Sequence, residues 1–72
     1  MPVRTGVIPP RTLAFPVSDT SVDANDLVVV SLTNNPGLGV SVSWIEIVSG
    51  RFVIHLNLPT RGLTGFKYSV IG

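Results

Sequence analysis

"SVSWIEIVSGRF", residues 41–52, reads as two strands folded about Ser49-Gly50, and its apolar phase slips partway along. Val40, Val42 and Trp44 share one side of an extended chain, Ile45 and Ile47 take the other, and Glu46 stands where the first side calls for an apolar residue. Two registers answer the slip. A two-residue turn pairs Val48 with Arg51, Ile47 with Phe52 and Ile45 with Ile54, which turns Trp44, Glu46 and His55 outward. A three-residue turn over residues 48–50, with Gly50 in a left-handed bulge conformation, sets Trp44 against Ile54, Val42 against Leu56 and Val40 against Leu58. The second register is preferred, because it unites the longer apolar set and a one-residue slip would flip all of it. Either way one face serves a core while large aliphatics remain on the other. In the preferred register these are Ile45, Ile47 and Val53.

Outward from the hairpin, six Pro and seven Gly interrupt segments rich in Val, Ile, Thr and Ser, so helix is not expected. Six short strands are expected: 3–8, 11–17, 26–33, 40–48, 51–58 and 66–72. Pro16 lacks a donor, which places the second strand at an edge. Asp19, Asp23 and Asn25 suit a loop over 18–25, and Pro36-Gly37 fits the centre of a type II turn. Phe52, Ile54 and Leu56 alternate and belong to the core. Short strands at this spacing predict an all-β chain, a small antiparallel β-sandwich or barrel.

Length and composition set the next constraint. Seventy-two residues allow one small domain, which draws only about 3–5 kcal/mol from its core and needs a staple. There is no Cys for a disulfide and a single His, so self-association is the staple that remains. Charged residues make up 12% and hydrophobic residues 44%, which argues against disorder and for a surface covered by something else. The five cations and four acids are scattered singly, giving no footprint for nucleic acid or anionic lipid. No apolar run nears the roughly 18 residues of a membrane span, and the first residues lack the apolar stretch of a secretory signal.

Chemistry-bearing residues are few. His55 has no Cys partner, and a Ser43–His55 pair would have no implied oxyanion donors, so no catalytic residues are assigned. The acids of 19–26 lack calcium-loop spacing, and neither "NPGLG" nor "TRGLTG" leads into a helix, so no metal site and no cofactor is assigned. Trp44 and Tyr68 are the candidates for a flat sugar-stacking platform, with Arg51, His55, Asn57 and Arg61 as polar partners. Their competing reading is packing in the core or an interface.

From Val17 to Ile71 the chain resembles the β-sandwich module that closes bacteriophage tail fibres and tail spikes. The residues that carry the resemblance are "TSVDANDLVVVSLTNNPG" (20–37), the Gly-x-Phe hairpin of "SGRFVIHL" (49–56) and the alternating aromatics of "LTGFKYSVIG" (63–72). The resemblance implies a C-terminal tip domain over 13–72, a homotrimer, and a location in the virion among other virion proteins. It also implies occasional contact with a host-surface polysaccharide. Residues 1–12 lie outside it, as an arm, a linker or a first strand. With no fibre shaft ahead of Met1, the expectation is an excised module, a separately translated tip or a stand-alone virion protein. A capsid decoration protein and a lectin-like carbohydrate-binding module are the alternatives. The expected oligomer interface is Ile45, Ile47 and Val53.

Overall fold

A computed structural model describes residues 3–71. Met1 and Pro2 of the expected arm, and Gly72 at the end of the expected last strand, lie outside the described residues. The strands are β1 (Arg4–Ile8), β2 (Ala14–Ser18), β3 (Leu27–Leu32), β4 (Val42–Val48), β5 (Arg51–Leu56) and β6 (Thr64–Ile71). All pair antiparallel in two three-stranded sheets, the first ordered β1-β6-β3 and the second β2-β5-β4. The described residues contain no helix.

The opening hairpin adopts the two-residue turn, not the preferred three-residue one: Val48 pairs with Arg51, Ile47 with Phe52, Ile45 with Ile54 and Trp44 with His55. The reason lies outside the hairpin. Gly50, at φ 85°, donates its N–H to the Val22 carbonyl and accepts from the Asp19 N–H, at 2.8 and 3.0 Å. The loop after β2 thus holds both backbone groups of the tip. The phase slip is then repaired at Ser43, where a β-bulge lets Val42 return to Leu56. Val42, Ile45 and Ile47 all pack against the core, while Trp44 and Glu46 stand on the outer face with His55. Asn57 fixes the chain beyond the bulge: its side chain accepts from the Ser41 N–H at 2.7 Å and donates to the Gly39 carbonyl at 2.7 Å.

One further expectation changes. The 34–39 loop turns two residues later than Pro36-Gly37, with Val40 N–H donating to Gly37 and Gly39 at φ 77°, the conformation that the third position of a type II turn needs. Residues 4–8 form the expected first strand, β1, whose Ile8 is fully buried and whose Gly6 lies beneath the Phe66 ring, so close that a Cβ would stand 2.5 Å from Cζ. The corner from β1 into β2 is held by buried Thr60, which exchanges backbone bonds with Arg11 and Thr12 and donates its hydroxyl to the Pro9 carbonyl.

The central strands β6 and β5 supply most of the core: Phe66 and Tyr68 from one, Phe52, Ile54 and Leu56 from the other. Rings cross between the sheets, Phe52 edge-on to Tyr68 at 4.8 Å and Phe15 to Phe66 at 6.0 Å. Such pairs add about 0.5–1.5 kcal/mol each beyond their burial. Among the described residues one buried charge joins the two sheets. Asp19, just past β2, accepts on one carboxylate oxygen from Arg4 of β1 and from the Tyr68 hydroxyl at 2.9 Å. Its other oxygen accepts from the Ser21 hydroxyl and N–H, at 2.6 and 3.0 Å. These bonds, Ser21's foremost and Arg4's next, hold the Asp19 carboxyl far below the ordinary carboxylate range, while burial and the bond to Asp19 push the Tyr68 phenol up.

Two outcomes follow from this packing. Phe52→Ala or Ile54→Ala should cost about 2–5 kcal/mol, read from denaturant or thermal unfolding; an unchanged midpoint would reject the assigned core. Asp19 is depressed in the folded state, so its contribution is fully present above the ordinary carboxylate pKa and is lost as pH falls below it. Asp19→Asn should therefore unfold more easily at neutral pH and lose part of the wild type's acid sensitivity in a pH series of melting curves.

Candidate functional site

The outer face of the second sheet can be built row by row. Trp44 lies across from His55 and Ala14, Glu46 from Val53 and Pro16, Val48 from Arg51 and Ser18. The two-residue turn puts these side chains outward. In the first row the indole and imidazole rings stack, with centroids 4.1 Å apart and planes within 4°. From the neighbouring row Glu46 reaches diagonally to His55, Oε1 lying 3.0 Å from Nε2. His55 is thus held on its face by Trp44 and at its edge by a carboxylate. Because β4 is the edge of its sheet, no strand among the described residues lies beyond Trp44, which is 54% exposed. The arrangement presents a rigid aromatic surface with a carboxylate and an imidazole beside it, suited to stacking and hydrogen bonding.

Of the sugar-platform candidates, only Trp44 and His55 come together. Arg51 shares their face but stands four residues along β5, about 13 Å away by strand rise. Asn57 is committed to the Gly39–Ser41 backbone, and Arg61 lies in the β5–β6 loop with its stem against Gly37. Tyr68 is buried in the core on Asp19, where the alternation with Phe66 and Val70 had also allowed it to be. Glu46 was missed as a site residue, because the preferred three-residue turn puts it at the open hairpin tip, near Phe52 and away from His55. Its i, i+2 spacing from Trp44 is the signal that pairs them once the two-residue turn is adopted.

The interface candidates divide likewise. Ile45 and Ile47 are half-buried and face the core, and Val53 lies on the opposite face between Pro16 and Glu46, so the three do not form one surface. The uncovered aliphatics are on the first sheet instead. Val3, Leu27 and Val29 are 60, 57 and 49% exposed on its outer face, joined by Ile71, which pairs with Leu27. Val3 and Val29, with Ser31, Lys67, Tyr68 and Ser69, line a shallow depression of about 150 Å³ on this side. Among the described residues no cluster of three His, Asp or Glu is placed to hold a metal ion.

No family model, curated protein or solved structure matches the chain.

The stacked pair can be checked directly. Trp44 is the sole tryptophan, so wild-type emission should be that of a solvent-exposed indole. His55→Ala should raise its collisional quenching by acrylamide, since the imidazole covers one indole face. A shielded, blue-shifted Trp44 in wild type would contradict the geometry.

Proposed function

We propose that this chain is a structural module that joins copies of itself: a two-layer β-sandwich assembled as a homotrimer, of the kind that closes bacteriophage tail fibres and spikes. In this reading it resides in the virion beside other virion proteins, exposed to the medium. The observation that carries self-association is the outer face of the first sheet, where Val3, Leu27, Val29 and Ile71 stand in water with Lys67 as the one charge among the strand residues of that face. A chain of 72 residues with no cysteine gains the stability it lacks by covering such a face. The number three and the virion come from the resemblance of residues 17–71. The stand-alone decoration protein is the same physical reading in another position on the virion.

A second reading is favoured by Trp44. Its exposed indole, stacked on His55 with Glu46 alongside, fits the apolar face and hydroxyls of a pyranose, which makes the second sheet's outer face the side offered to a host-surface polysaccharide. Single sites of this size bind weakly and gain strength by repetition in an oligomer.

Leu27→Asp tests the first reading without touching the core, because Leu27 is largely exposed. The variant should lose oligomeric mass in sedimentation or light scattering, since a charge enclosed in an interface is strongly unfavourable. Its melting temperature should become independent of concentration, whereas that of wild type rises with concentration. A Leu27→Asp protein with wild-type mass would remove this face from the interface. For the second reading, Trp44→Ala should abolish retention on immobilised host polysaccharide while leaving the oligomer intact; equal retention would exclude the Trp44 face.

A further inference from the structure

Two sheets of three strands leave four edges, and the backbone at each is accounted for differently. In the second sheet the Leu56 N–H donates to Leu13 at 2.9 Å, so alternation along the ladder turns Ala14, Pro16 and Ser18 of β2 outward. Pro16 has no N–H to offer there. On β4 the outward residues are Ile45 and Ile47, flanked by the Glu46 carboxylate and ended by the bulge at Ser43. In the first sheet β1 turns Thr5 and Val7 outward and is cut short by Pro9. These three edges carry recognised protections: a proline, a charge with a bulge, and brevity.

β3 carries none of them. The Thr33 N–H donates to Gly65 at 2.8 Å, and residues 33 and 65 continue the β3–β6 register, so Leu27, Val29 and Ser31 bond to β6. Val28, Val30 and Leu32 then aim N–H and C=O away from β6, over a six-residue strand with no charge, no proline and no bulge. Val30 and Leu32 are only half-buried, because the core ends at this edge.

The geometry points to a joint between two copies of this chain, in which β3 pairs antiparallel with β3 of the second copy about a two-fold axis at Val30. This refines the self-association proposed above by naming one contact. Register is fixed by two requirements. Core-side residues must meet core-side residues, and all three outward-facing residues must find partners. Pairing Val30 with Val30, and Val28 with Leu32 in both directions, meets both, with two backbone hydrogen bonds at each pair. On the outer side Val29 then stands across from Ser31 of the other copy, and the exposed Leu27, Val29 and Ile71 of both copies merge into one face. Asp26 falls opposite Asn34, so no like charges meet. A foreign strand at this edge would need to reproduce this uncharged, self-complementary pattern, which a second copy supplies by symmetry. The joint links two of the trimers proposed above, so the assembly holds six chains.

Native mass and backbone amide exchange test the joint together. Wild type should contain six chains, with the Val30 and Leu32 amides protected although no described strand of their own chain bonds them. Val30→Pro removes one outward N–H, no bond to β6 and no residue of the outer face; it should halve the mass to that of a trimer and abolish the protection of Leu32. Val29→Lys keeps an exposed position exposed but places like charges both near the axis and on the outer face, so it should reduce the mass to that of single chains while dilute-protein melting stays at the wild-type value. A wild-type trimer unaffected in mass by Val30→Pro would overturn the joint and leave self-association standing. A wild-type monomer with rapid exchange at Val30 and Leu32 would overturn both.

Discussion

The register of the β4–β5 hairpin is the constraint on which the rest of the structure depends. With a two-residue turn at its tip and one extra residue at Ser43, the hairpin sends Val42, Ile45, Ile47, Phe52, Ile54 and Leu56 to the same side. A single bulge thereby reconciles two apolar phases that no unbroken strand can satisfy. The tip is not autonomous: its backbone is held by Asp19 and Val22, and Asp19 also holds Arg4 and Tyr68 of the first sheet. One short loop therefore fixes the hairpin register and ties the two sheets together.

That arrangement decides what each surface can do. Val42, Ile45, Ile47, Ile54 and Leu56 of the hairpin are consumed by the core, which leaves Trp44, His55 and Glu46 on its outer face beside Val48 and Val53, a surface for ring stacking and hydrogen bonds. The surplus of apolar surface appears on the first sheet, along Val3, Leu27, Val29 and Ile71, beside the one edge strand that lacks protection. A face and an edge that adjoin, both apolar and both uncharged along β3, are consistent with a chain that completes its packing with copies of itself.

Much of this was legible in the sequence. All six strands were expected within a few residues of their observed bounds, because Pro, Gly and the period-two alternation are local signals. The same alternation marked Phe52, Ile54 and Leu56 as core, and the missing N–H of Pro16 marked its strand as an edge. What the sequence did not display were contacts between distant segments. The three-residue turn was preferred because it united Val40, Val42 and Trp44, yet the outcome depended on Val22 and Asp19, some thirty residues earlier in the chain. The turn at Leu38–Gly39 escaped notice because Pro36-Gly37 is the stronger local signal. The shared face of Ile45, Ile47 and Val53 was misread, and the pairing of Glu46 with His55 missed, for the same reason, since a one-residue error in register exchanges faces.

The register is also the most direct point of test. In an antiparallel pair, residues opposed without hydrogen bonds bring their Cα atoms to about 4.5 Å, close enough for strong Hα–Hα nuclear Overhauser effects. The two-residue turn with its bulge predicts such effects between Ile45 and Ile54 and between Ile47 and Phe52. Strong effects between Trp44 and Ile54 and between Glu46 and Phe52 would instead place Trp44 in the core, and would contradict the account of both surfaces.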